Sequence, residues 1–513
     1  MNASAGDDDP VPPLVPLDEH NRALRDRVHP IDWRNPEASD RYNLVVIGAG
    51  TAGLVTAAGA AAMGARVALI ERNLLGGDCL VTGCVPSKAL IRCARAVHDM
   101  RGGDAFGVHV DAPARVDFAQ AMQRLRRIRA DISEHDSAAR FRDLGVEVHL
   151  GQARFVDGSH VEVGGQRLAF ARAVIATGAR AAVPDIPGLA EVGYLTNETV
   201  FSLTELPRRL AVIGAGPIGC ELAQAFARLG ARVSLVSKGG RILPREDPDA
   251  GGIVASALLA DGVDIVDAGR GMRSRRDADG KVLDIDGDGG TRTLHVDAIL
   301  VGVGRKPNVE GLDLERAGVA YDAASGVQVD DRLRTTNRRI YAAGDICSRF
   351  KFTHAADAMA RIVIRNALFF GRERVSSLVI PWCTYTDPEI AQVGLSEHDA
   401  RERGVAVETI IVPMGAVDRA VLDGDEQGML KMHLRRGTDR ILGATLVARH
   451  AGDLIAEITL AMTAGLGLSA IGRAIHPYPT HGEVVRKAAD AYNRSRLTPF
   501  VRRITERLMA WRR

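Results

Sequence analysis

Two stretches of the chain share one order of apolar and polar residues. In residues 44–71 a short apolar run is followed by a glycine-rich turn, an alanine-rich segment and a second apolar run, and residues 210–238 repeat this order. Short apolar runs that alternate with helical segments are typical of strand–helix–strand units around a parallel sheet. The pattern therefore predicts an α/β fold that contains one such unit twice.

Each copy carries three glycines with the spacing G-x-G-x-x-G. They are Gly48, Gly50 and Gly53 in the first copy, and Gly214, Gly216 and Gly219 in the second. Such glycines permit a tight turn and let a pyrophosphate approach the N-terminus of the next helix, where free N–H groups favour anions. Two copies in full strand–helix–strand context predict two Rossmann-like dinucleotide-binding domains.

The copies differ at the end of the second apolar run, where an adenosine ribose is read. Glu71 ends the first run, and a carboxylate suits ribose hydroxyls, which predicts the ADP half of FAD. The second copy has Ser237 and Lys238 there. A hydroxyl and a cation would accept the 2′-phosphate that a carboxylate repels, so the sequence favours NADP(H) over NAD(H). Lys238 is equally compatible with a solvated surface position.

A close pair of cysteines, Cys79 and Cys84, follows the first unit with four residues between them. Such a pair can close a small disulfide across one helical turn, and its place after a dinucleotide turn predicts electron exchange with a bound flavin. The cysteine spacing shows no zinc pattern, so no resident metal is expected. The other four are expected to be buried small hydrophobes: Cys93, Cys220, Cys347 and Cys383.

Later apolar runs also end in small residues. One ends at Thr177 and Gly178, and another ends at Gly344 and Asp345, which suits hydrogen bonds to a ribityl chain. This return to the first cofactor predicts that one domain is inserted within another. The expected organisation is an N-terminal extension (1–40), an FAD-binding domain (41–206 and 311–375), an NAD(P)-binding domain (207–310), an α+β domain (376–493) and a basic tail (494–513).

The composition and the terminal segments bear on the partners and the location of the protein. The chain has 513 residues with a formal net charge of +2, which argues against nucleic acid. No apolar stretch reaches the roughly 18 residues that span a bilayer, and the acidic start 1–13 does not resemble a secretory signal, so a cytoplasmic location is expected. The rest of the extension is apolar enough to pack on the FAD domain. In the tail, an apolar stripe lies beside five arginines, and we expect docking on the protein or its partner subunit rather than on an anionic membrane.

Together these motifs, over about Tyr42 to Asn493, resemble the FAD-dependent pyridine nucleotide-disulfide oxidoreductases, which include glutathione reductase, dihydrolipoyl dehydrogenase and mercuric reductase. The segment 303–308, with Gly304, belongs to the same ordered set. The resemblance implies that NAD(P)H passes hydride to the flavin, which reduces the Cys79–Cys84 disulfide. It places Cys84 against the flavin and makes Cys79 the exposed interchange thiol. It also implies that Lys88 lies near the flavin and pairs with Glu221.

The resemblance further implies a homodimer through the C-terminal domain, with Tyr478 and Glu483 approaching the sulfurs of the other chain. Members that act on dithiols carry a histidine acid–base where Tyr478 stands. Tyrosine is a poor base near neutral pH. This substitution resembles mercuric reductase and makes Hg(II), held at Cys79 and Cys84, a candidate substrate. His476 and His481 flank Tyr478 and stay open as replacement bases.

Mercuric reductase also carries a C-terminal cysteine pair and an N-terminal CxxC domain, and this sequence shows neither. We therefore expect the usual delivery route for Hg(II) to be absent and the metal to arrive as a small thiol complex. The leading hypothesis is an NAD(P)H-dependent reductase of a metal–thiol complex or a small disulfide. The alternatives are a dihydrolipoyl dehydrogenase, which Tyr478 and Ser237 oppose, and a flavin redox sensor or assembly partner.

Overall fold

The structure is a computed structural model that describes residues 14–109, 115–287 and 290–513. The acidic stretch 1–13, on which the expectation about a secretory signal rests, lies outside the described residues. Two units make up the chain: unit 1 contains residues up to 240 and 262–378, and unit 2 contains 241–261 and 379–513.

The helices of the described chain are α1 (Glu19–Val28), α2 (Thr51–Ala62), α3 (Gly77–Val81), α4 (Cys84–Arg101), α5 (Phe118–Ile132), α6 (Ala138–Asp143), α7 (Leu189–Val192), α8 (Pro217–Arg228), α9 (Pro248–Ala260), α10 (Thr353–Leu368), α11 (Glu397–Glu402), α12 (Asp418–Asp423), α13 (Ala451–Thr463), α14 (Leu468–Arg473), α15 (Glu483–Ser495) and α16 (Pro499–Trp511).

The strands are β1 (Tyr42–Ile47), β2 (Val67–Glu71), β3 (Val146–Leu150), β4 (Arg154–Asp157), β5 (His160–Val163), β6 (Gln166–Ile175), β7 (Ala179–Ala181), β8 (Arg209–Ile213), β9 (Arg232–Ser237), β10 (Asp264–Asp267), β11 (Gly271–Asp277), β12 (Gly280–Gly287), β13 (Gly290–Val296), β14 (Ala298–Val301), β15 (Arg305–Pro307), β16 (Tyr321–Asp322), β17 (Gly326–Val327), β18 (Ile340–Ala342), β19 (Pro381–Thr384), β20 (Glu389–Gly394), β21 (Val407–Pro413), β22 (Met429–Arg435) and β23 (Ile441–Ala448).

Unit 1 contains two largely parallel sheets, each built on one copy of the sequence repeat. The first has the order β3-β2-β1-β6-β5-β4, and β18 also pairs with β6. The second has the order β10-β9-β8-β14, and all of its pairings are parallel. Since β18 joins the first sheet, the chain returns there after completing the second sheet. The predicted α/β class with two Rossmann-like domains is confirmed.

Unit 2 is built on the antiparallel sheet β19-β20-β23-β22-β21. Its buried core includes Leu430 and Leu446 from the strands and Ile458, Val484 and Tyr492 from the helices α13 and α15. This α+β architecture agrees with the predicted C-terminal domain.

Residues 241–261, which the sequence assigned to the NAD(P)-binding domain, belong to unit 2 in the structure. Long-range polar contacts hold this segment there. The buried Lys431 ammonium lies 3.0 Å from the Asp247 carboxylate and 2.6 Å from that of Asp249. The Trp382 indole N–H donates to Glu246 at 3.0 Å. The other domain boundaries stay predictions.

The described part of the N-terminal extension packs on unit 1. Leu24 and Val28 of α1 are fully buried. Beyond the helix, the Trp33 indole donates to the Val148 carbonyl at 3.1 Å, and the Asn35 side chain makes two hydrogen bonds with the Leu150 backbone. These contacts cover β3, the edge strand of the first sheet, where unpaired backbone groups would otherwise invite association.

The C-terminal tail forms the predicted helix, α16, but no residue of this helix is buried. Within the described chain this helix therefore does not dock on its own protein, and the expected docking on the partner subunit stays a prediction. Within the described ranges, no helix is both long enough and apolar enough to cross a bilayer.

Candidate active site and cofactor cradles

The first glycine turn contains two glycines that the backbone itself requires. Gly48 has φ +99°, and a Cβ added there would lie 2.5 Å from the Ala176 carbonyl oxygen. A Cβ on Gly53 would lie 1.8 Å from the Gly48 carbonyl oxygen. Gly50 differs, because a Cβ there would meet only the Gly77 Cα at 4.0 Å. Gly50 therefore leaves open space in front of the N-terminus of α2, where a phosphate can approach.

The second glycine turn repeats this geometry. Gly214 has φ +108°, and a Cβ there would lie 2.5 Å from the Gly302 carbonyl oxygen. A Cβ on Gly219 would lie 1.8 Å from the Gly214 carbonyl oxygen, whereas one on Gly216 would have no described atom within 4 Å. Both turns thus combine two obligatory glycines with one that faces open space, which fits two dinucleotides.

The two copies of the repeat differ at the position that would recognise the adenosine ribose. Glu71 is buried, and its carboxylate accepts from the backbone N–H groups of Ala49 at 2.6 Å and Asn73 at 2.8 Å. Burial raises its pKa, and these two hydrogen bonds oppose that rise. In the second copy Ser237 is buried, and its Oγ has no partner among the described residues, whereas Lys238 is exposed.

Three loops beside the first sheet hold the other expected cofactor residues. Thr177 donates to the Asn308 carbonyl at 2.9 Å, and the Asn308 N–H donates to the Gly178 carbonyl at 3.0 Å. Gly304 has φ +134° and open space at its Cβ position. Burial raises the pKa of Asp345. Open glycine turns and buried carboxylates suit the phosphates and hydroxyls of FAD, so the residues present fit this cofactor.

The cysteine pair spans the junction of two helices. Cys79 lies in α3 and Cys84 is the first residue of α4, with a break at Thr82 and Gly83. The expectation of a pair within one helical turn is therefore wrong. The break is enforced by a close approach, since a Cβ on Gly83 would lie 2.7 Å from the Asp78 carbonyl oxygen. Both cysteines are free thiols.

The two thiols have opposite pKa shifts. A hydrogen bond from Cys79 lowers the pKa of the Cys84 thiol to about 6, and the Thr353 hydroxyl and the Lys88 charge add to this effect. The same hydrogen bond, together with burial, raises the pKa of Cys79. Cys84 also begins α4, where the helix dipole favours an anion. Both shifts favour a thiolate on Cys84 and a proton on Cys79.

The two cysteines differ in exposure within the described chain. Cys84 is exposed and Cys79 is half-buried. The expectation that Cys84 lies against the flavin and that Cys79 is the interchange thiol stays a prediction. Of the remaining four cysteines, only Cys220 is fully buried, so the expectation for the other three is wrong.

Lys88 and Glu221 lie beside the dithiol. The Lys88 ammonium is 2.8 Å from the Glu221 carboxylate, and Glu221 is buried while Lys88 is partly exposed. Lys88 is one helical turn beyond Cys84 on α4, and Glu221 lies on α8. The structure thus brings four of the expected catalytic residues together in unit 1.

Three residues of this site were not predicted to act there. The Thr353 hydroxyl lies 3.5 Å from the Cys84 sulfur. The Arg305 guanidinium lies 2.9 Å from Asp78 and 3.2 Å from Asp345, and it is largely buried. Asp78 precedes Cys79, and Arg305 lies within the segment 303–308, so both had a motif as a signal. Thr353 had none.

Tyr478 and Glu483 lie in unit 2. The Tyr478 side chain is exposed, and its hydroxyl donates to the Asp418 carboxylate at 2.9 Å, which raises the pKa of the tyrosine. Glu483 is buried at the start of α15, and its Oε2 has no hydrogen-bond partner among the described residues.

The two histidines that flank Tyr478 both face carboxylates. The His476 Nε2 lies 3.0 Å from Glu457. The His481 Nε2 lies 3.8 Å from Asp423. His481 also shares a cluster of metal-ligating atoms with Asp423 and Asp425, all within 4.8 Å of one another.

Comparison with known proteins agrees with this geometry. Residues 42–360 match the family described as "Pyridine nucleotide-disulphide oxidoreductase", and residues 380–489 match its dimerisation domain. The chain belongs to the pyridine nucleotide-disulfide oxidoreductase family. Membership makes it an oxidoreductase that uses FAD and a nicotinamide cofactor, and the dimerisation domain supports a homodimer.

Members of the family with different substrates are similar to this chain. A mercuric reductase from Bacillus cereus is 35% identical over 460 residues, which cover 90% of this chain and 73% of that protein. A dihydrolipoyl dehydrogenase from Thermus scotoductus is 33% identical over 464 residues, covering 88% of this chain and 98% of that one.

A solved structure with the same fold is the HOCl-induced flavoprotein disulfide reductase RclA from Escherichia coli. Its TM-score is 0.78 at 30% identity, with coverage of 88% of this chain and 99% of that chain. These family members leave the substrate of this chain open.

Proposed function

We propose that the protein is an NAD(P)H-dependent reductase of the mercuric reductase type, which acts on Hg(II) held by small thiols. The observation that carries this proposal is the tyrosine, Tyr478, at the position where dithiol-reducing members have a histidine. Its pKa is raised by the hydrogen bond to Asp418, so the side chain stays protonated near neutral pH and donates rather than accepts. Such a residue serves a substrate that binds thiolates directly better than one that needs a base.

The dithiol supplies the matching chemistry. Bound FAD would supply the two-electron link between the nicotinamide and the Cys79–Cys84 pair, held by the first glycine turn, Glu71 and Asp345. The Cys84 thiolate and the Cys79 thiol together offer two sulfurs to a thiophilic ion, and Cys79 loses its proton as the metal binds. The overall reaction takes NAD(P)H and Hg(II) to NAD(P)⁺, a proton and Hg(0), so electrons and charge balance.

The positive charge of Lys88 supports this role. The ammonium lies one turn from Cys84 and is held by the buried Glu221 carboxylate. A fixed cation here stabilises negative charge that develops on the sulfurs and on a reduced cofactor. We propose Lys88 and Glu221 as positioning and electrostatic residues of the reaction. We also propose a homodimer in which Tyr478 and Glu483 of the partner subunit complete the site.

We further propose NADPH as the preferred donor. The end of β9 presents the buried Ser237 hydroxyl, which lacks a partner among the described residues, and the exposed Lys238. The nearby Asp267 carboxylate accepts from the backbone N–H groups of Gly239 and Gly269, so it is already engaged by backbone donors. The cytoplasm is the compartment we propose, because a lone close cysteine pair without a wider disulfide framework is typical of proteins that work in reducing surroundings.

A second candidate is a disulfide oxidoreductase such as dihydrolipoyl dehydrogenase. The observation in its favour is the ion pair between His476 and Glu457, which lies two residues from Tyr478 in sequence. A histidine oriented by a carboxylate is the group that usually moves protons for thiol–disulfide exchange. In this alternative His476 takes the role that the sequence pattern gives to Tyr478.

The test compares acceptors with the FAD-loaded protein. Oxidation of NADPH and of NADH is followed with Hg(II) in excess small thiol, and separately with lipoamide, for the wild type, Cys79→Ser and His476→Gln. The proposal expects Hg(II)-dependent NADPH oxidation that Cys79→Ser abolishes and His476→Gln leaves unchanged. Efficient lipoamide turnover that His476→Gln abolishes would establish the second candidate instead.

A further inference from the structure

The helix α16 is amphipathic, and none of its faces is covered by the described chain. Thr498 caps its N-terminus by accepting from the Val501 N–H. One face carries four apolar side chains at helical spacing, and all of them are exposed. They are Phe500, Ile504, Leu508 and Trp511, of which Trp511 is 83% exposed and Phe500 68%. An apolar stripe of this kind on a soluble surface marks an interaction site.

The charge on α16 is strongly positive and borders the apolar stripe. Five arginines accompany one glutamate in residues 499–513, an excess larger than the +2 of the whole chain. Glu506 lies 3.1 Å from Arg502, on the side away from the stripe. At about 100° per residue, Arg507 falls beside one edge of the stripe and Arg512 beside the other. The helix therefore presents a hydrophobic strip with cationic borders.

The family's dimerisation domain does not extend to this helix. The match to that domain ends at residue 489, within α15, and α16 begins ten residues later. A surface in which arginines flank exposed aromatic and aliphatic side chains complements anionic lipid headgroups above an acyl layer. Tryptophan is also favoured at the membrane–water interface.

We propose that α16 binds the enzyme peripherally to an anionic membrane surface. Phe500, Ile504, Leu508 and Trp511 enter the boundary between headgroups and acyl chains, and the arginines contact lipid phosphates. This inference does not depend on which acceptor the dithiol reduces, so the two proposals fail independently.

The test is co-sedimentation of the full-length, FAD-loaded protein with vesicles. One set contains equal parts of phosphatidylglycerol and phosphatidylcholine, and the other contains phosphatidylcholine alone. We expect at least about tenfold tighter binding to the anionic vesicles, which weakens between about 0.1 M and about 1 M salt. Two variants with the same charge change test the stripe: Leu508→Asp lies on it, and Ala510→Asp lies outside it, roughly 115° from its centre at about 100° per residue.

Leu508→Asp is expected to lose binding by about tenfold or more, while Ala510→Asp keeps most of it. Equal effects of the two variants, or binding that ignores lipid charge, would overturn the proposal. The proposal would also be overturned if the wild type did not bind vesicles and the dimer dissociated in Leu508→Asp. In that case α16 would contact the second copy of the chain. The oligomeric state of each variant, measured by analytical ultracentrifugation, separates these outcomes, and NADPH oxidation should be the same in all three proteins.

Discussion

The Lys88 ammonium lies 2.8 Å from the Glu221 carboxylate, and this ion pair joins the helix that follows the dithiol to the helix that follows the second glycine turn. Glu221 is buried, and Lys88 is partly exposed. The same ammonium contributes to the lowered pKa of the Cys84 thiol. One cation therefore acts both on the packing of α4 against α8 and on the charge state of the reactive sulfur.

Substitution of Lys88 should change both properties. Lys88→Met removes the cation, so the pKa of the Cys84 thiol should rise above about 6, as measured by titration of the thiolate. It also removes a cationic partner of the buried Glu221 carboxylate, which should cost about 2 kcal/mol in the free energy of unfolding by urea. Glu221→Gln is the matched variant, because it keeps the cation and should leave the thiolate midpoint at or below about 6. A midpoint that rises equally in both variants would contradict this assignment.

Thr353 should tune the same thiolate. Its hydroxyl lies 3.5 Å from the Cys84 sulfur and lowers the pKa of that thiol. Thr353→Val removes the donor at nearly constant volume and should raise the thiolate midpoint by about one pH unit. Thr353→Ser keeps the hydroxyl and should behave like the wild type. If Thr353→Ser moved the midpoint as far as Thr353→Val does, packing rather than the hydrogen bond would be the cause.

The sequence could predict the features of this site that depend on residues close together in the chain. The glycine turns and the cysteine pair depend on short-range backbone geometry, which residue spacing reports directly. Thr353 and Cys84 are 269 positions apart, and only the folded chain brings α10 to the start of α4. The location of residues 241–261 was missed for the same reason, since the Lys431 ion pairs that hold this segment have no local pattern.

The two turns also show where spacing alone is insufficient. The motif G-x-G-x-x-G does not distinguish a glycine that the fold requires from one that a ligand requires. The structure separates them, because a Cβ on Gly53 would overlap the Gly48 carbonyl while a Cβ on Gly50 would meet open space. Likewise, the spacing of Cys79 and Cys84 did not reveal that a helix break separates them.

Alanine at the open glycines should separate cofactor binding from folding. Gly50→Ala should fold but bind FAD at least about tenfold more weakly, because the methyl group occupies the phosphate approach. Gly216→Ala should keep FAD and raise the KM for the nicotinamide donor. Flavin content after gel filtration and steady-state kinetics measure the two effects.

Gly252→Ala serves as the control, since this glycine lies within α9 and has open space at its Cβ position. It should retain both cofactors. Loss of FAD from Gly216→Ala with retention by Gly50→Ala would reverse the assignment of the two turns.

Substitution of Tyr478 should slow the reduction of the acceptor but not the reduction of the Cys79–Cys84 disulfide by NADPH. Tyr478→Phe removes the hydroxyl that donates to Asp418, and it should slow Hg(II)-dependent turnover by roughly tenfold to a hundredfold while NADPH still reduces the Cys79–Cys84 disulfide. Tyr478→His introduces a group that titrates near neutral pH and should increase lipoamide turnover. Stopped-flow reduction and steady-state assays report the two stages. Unchanged Hg(II) turnover in Tyr478→Phe would remove this residue from the reaction.

The central claim is that Cys84 holds the thiolate of the pair and Cys79 the proton. The most direct measurement is a pH titration of the long-wavelength absorbance that a thiolate beside oxidised flavin produces, in the wild type, Cys79→Ser and Cys84→Ser. The wild type should show a midpoint near pH 6, with the thiolate present above this pH and lost below it, because the pKa of Cys84 is lowered. Cys79→Ser should retain the signal, and Cys84→Ser should lack it. A signal that survives in Cys84→Ser and disappears in Cys79→Ser would contradict the account.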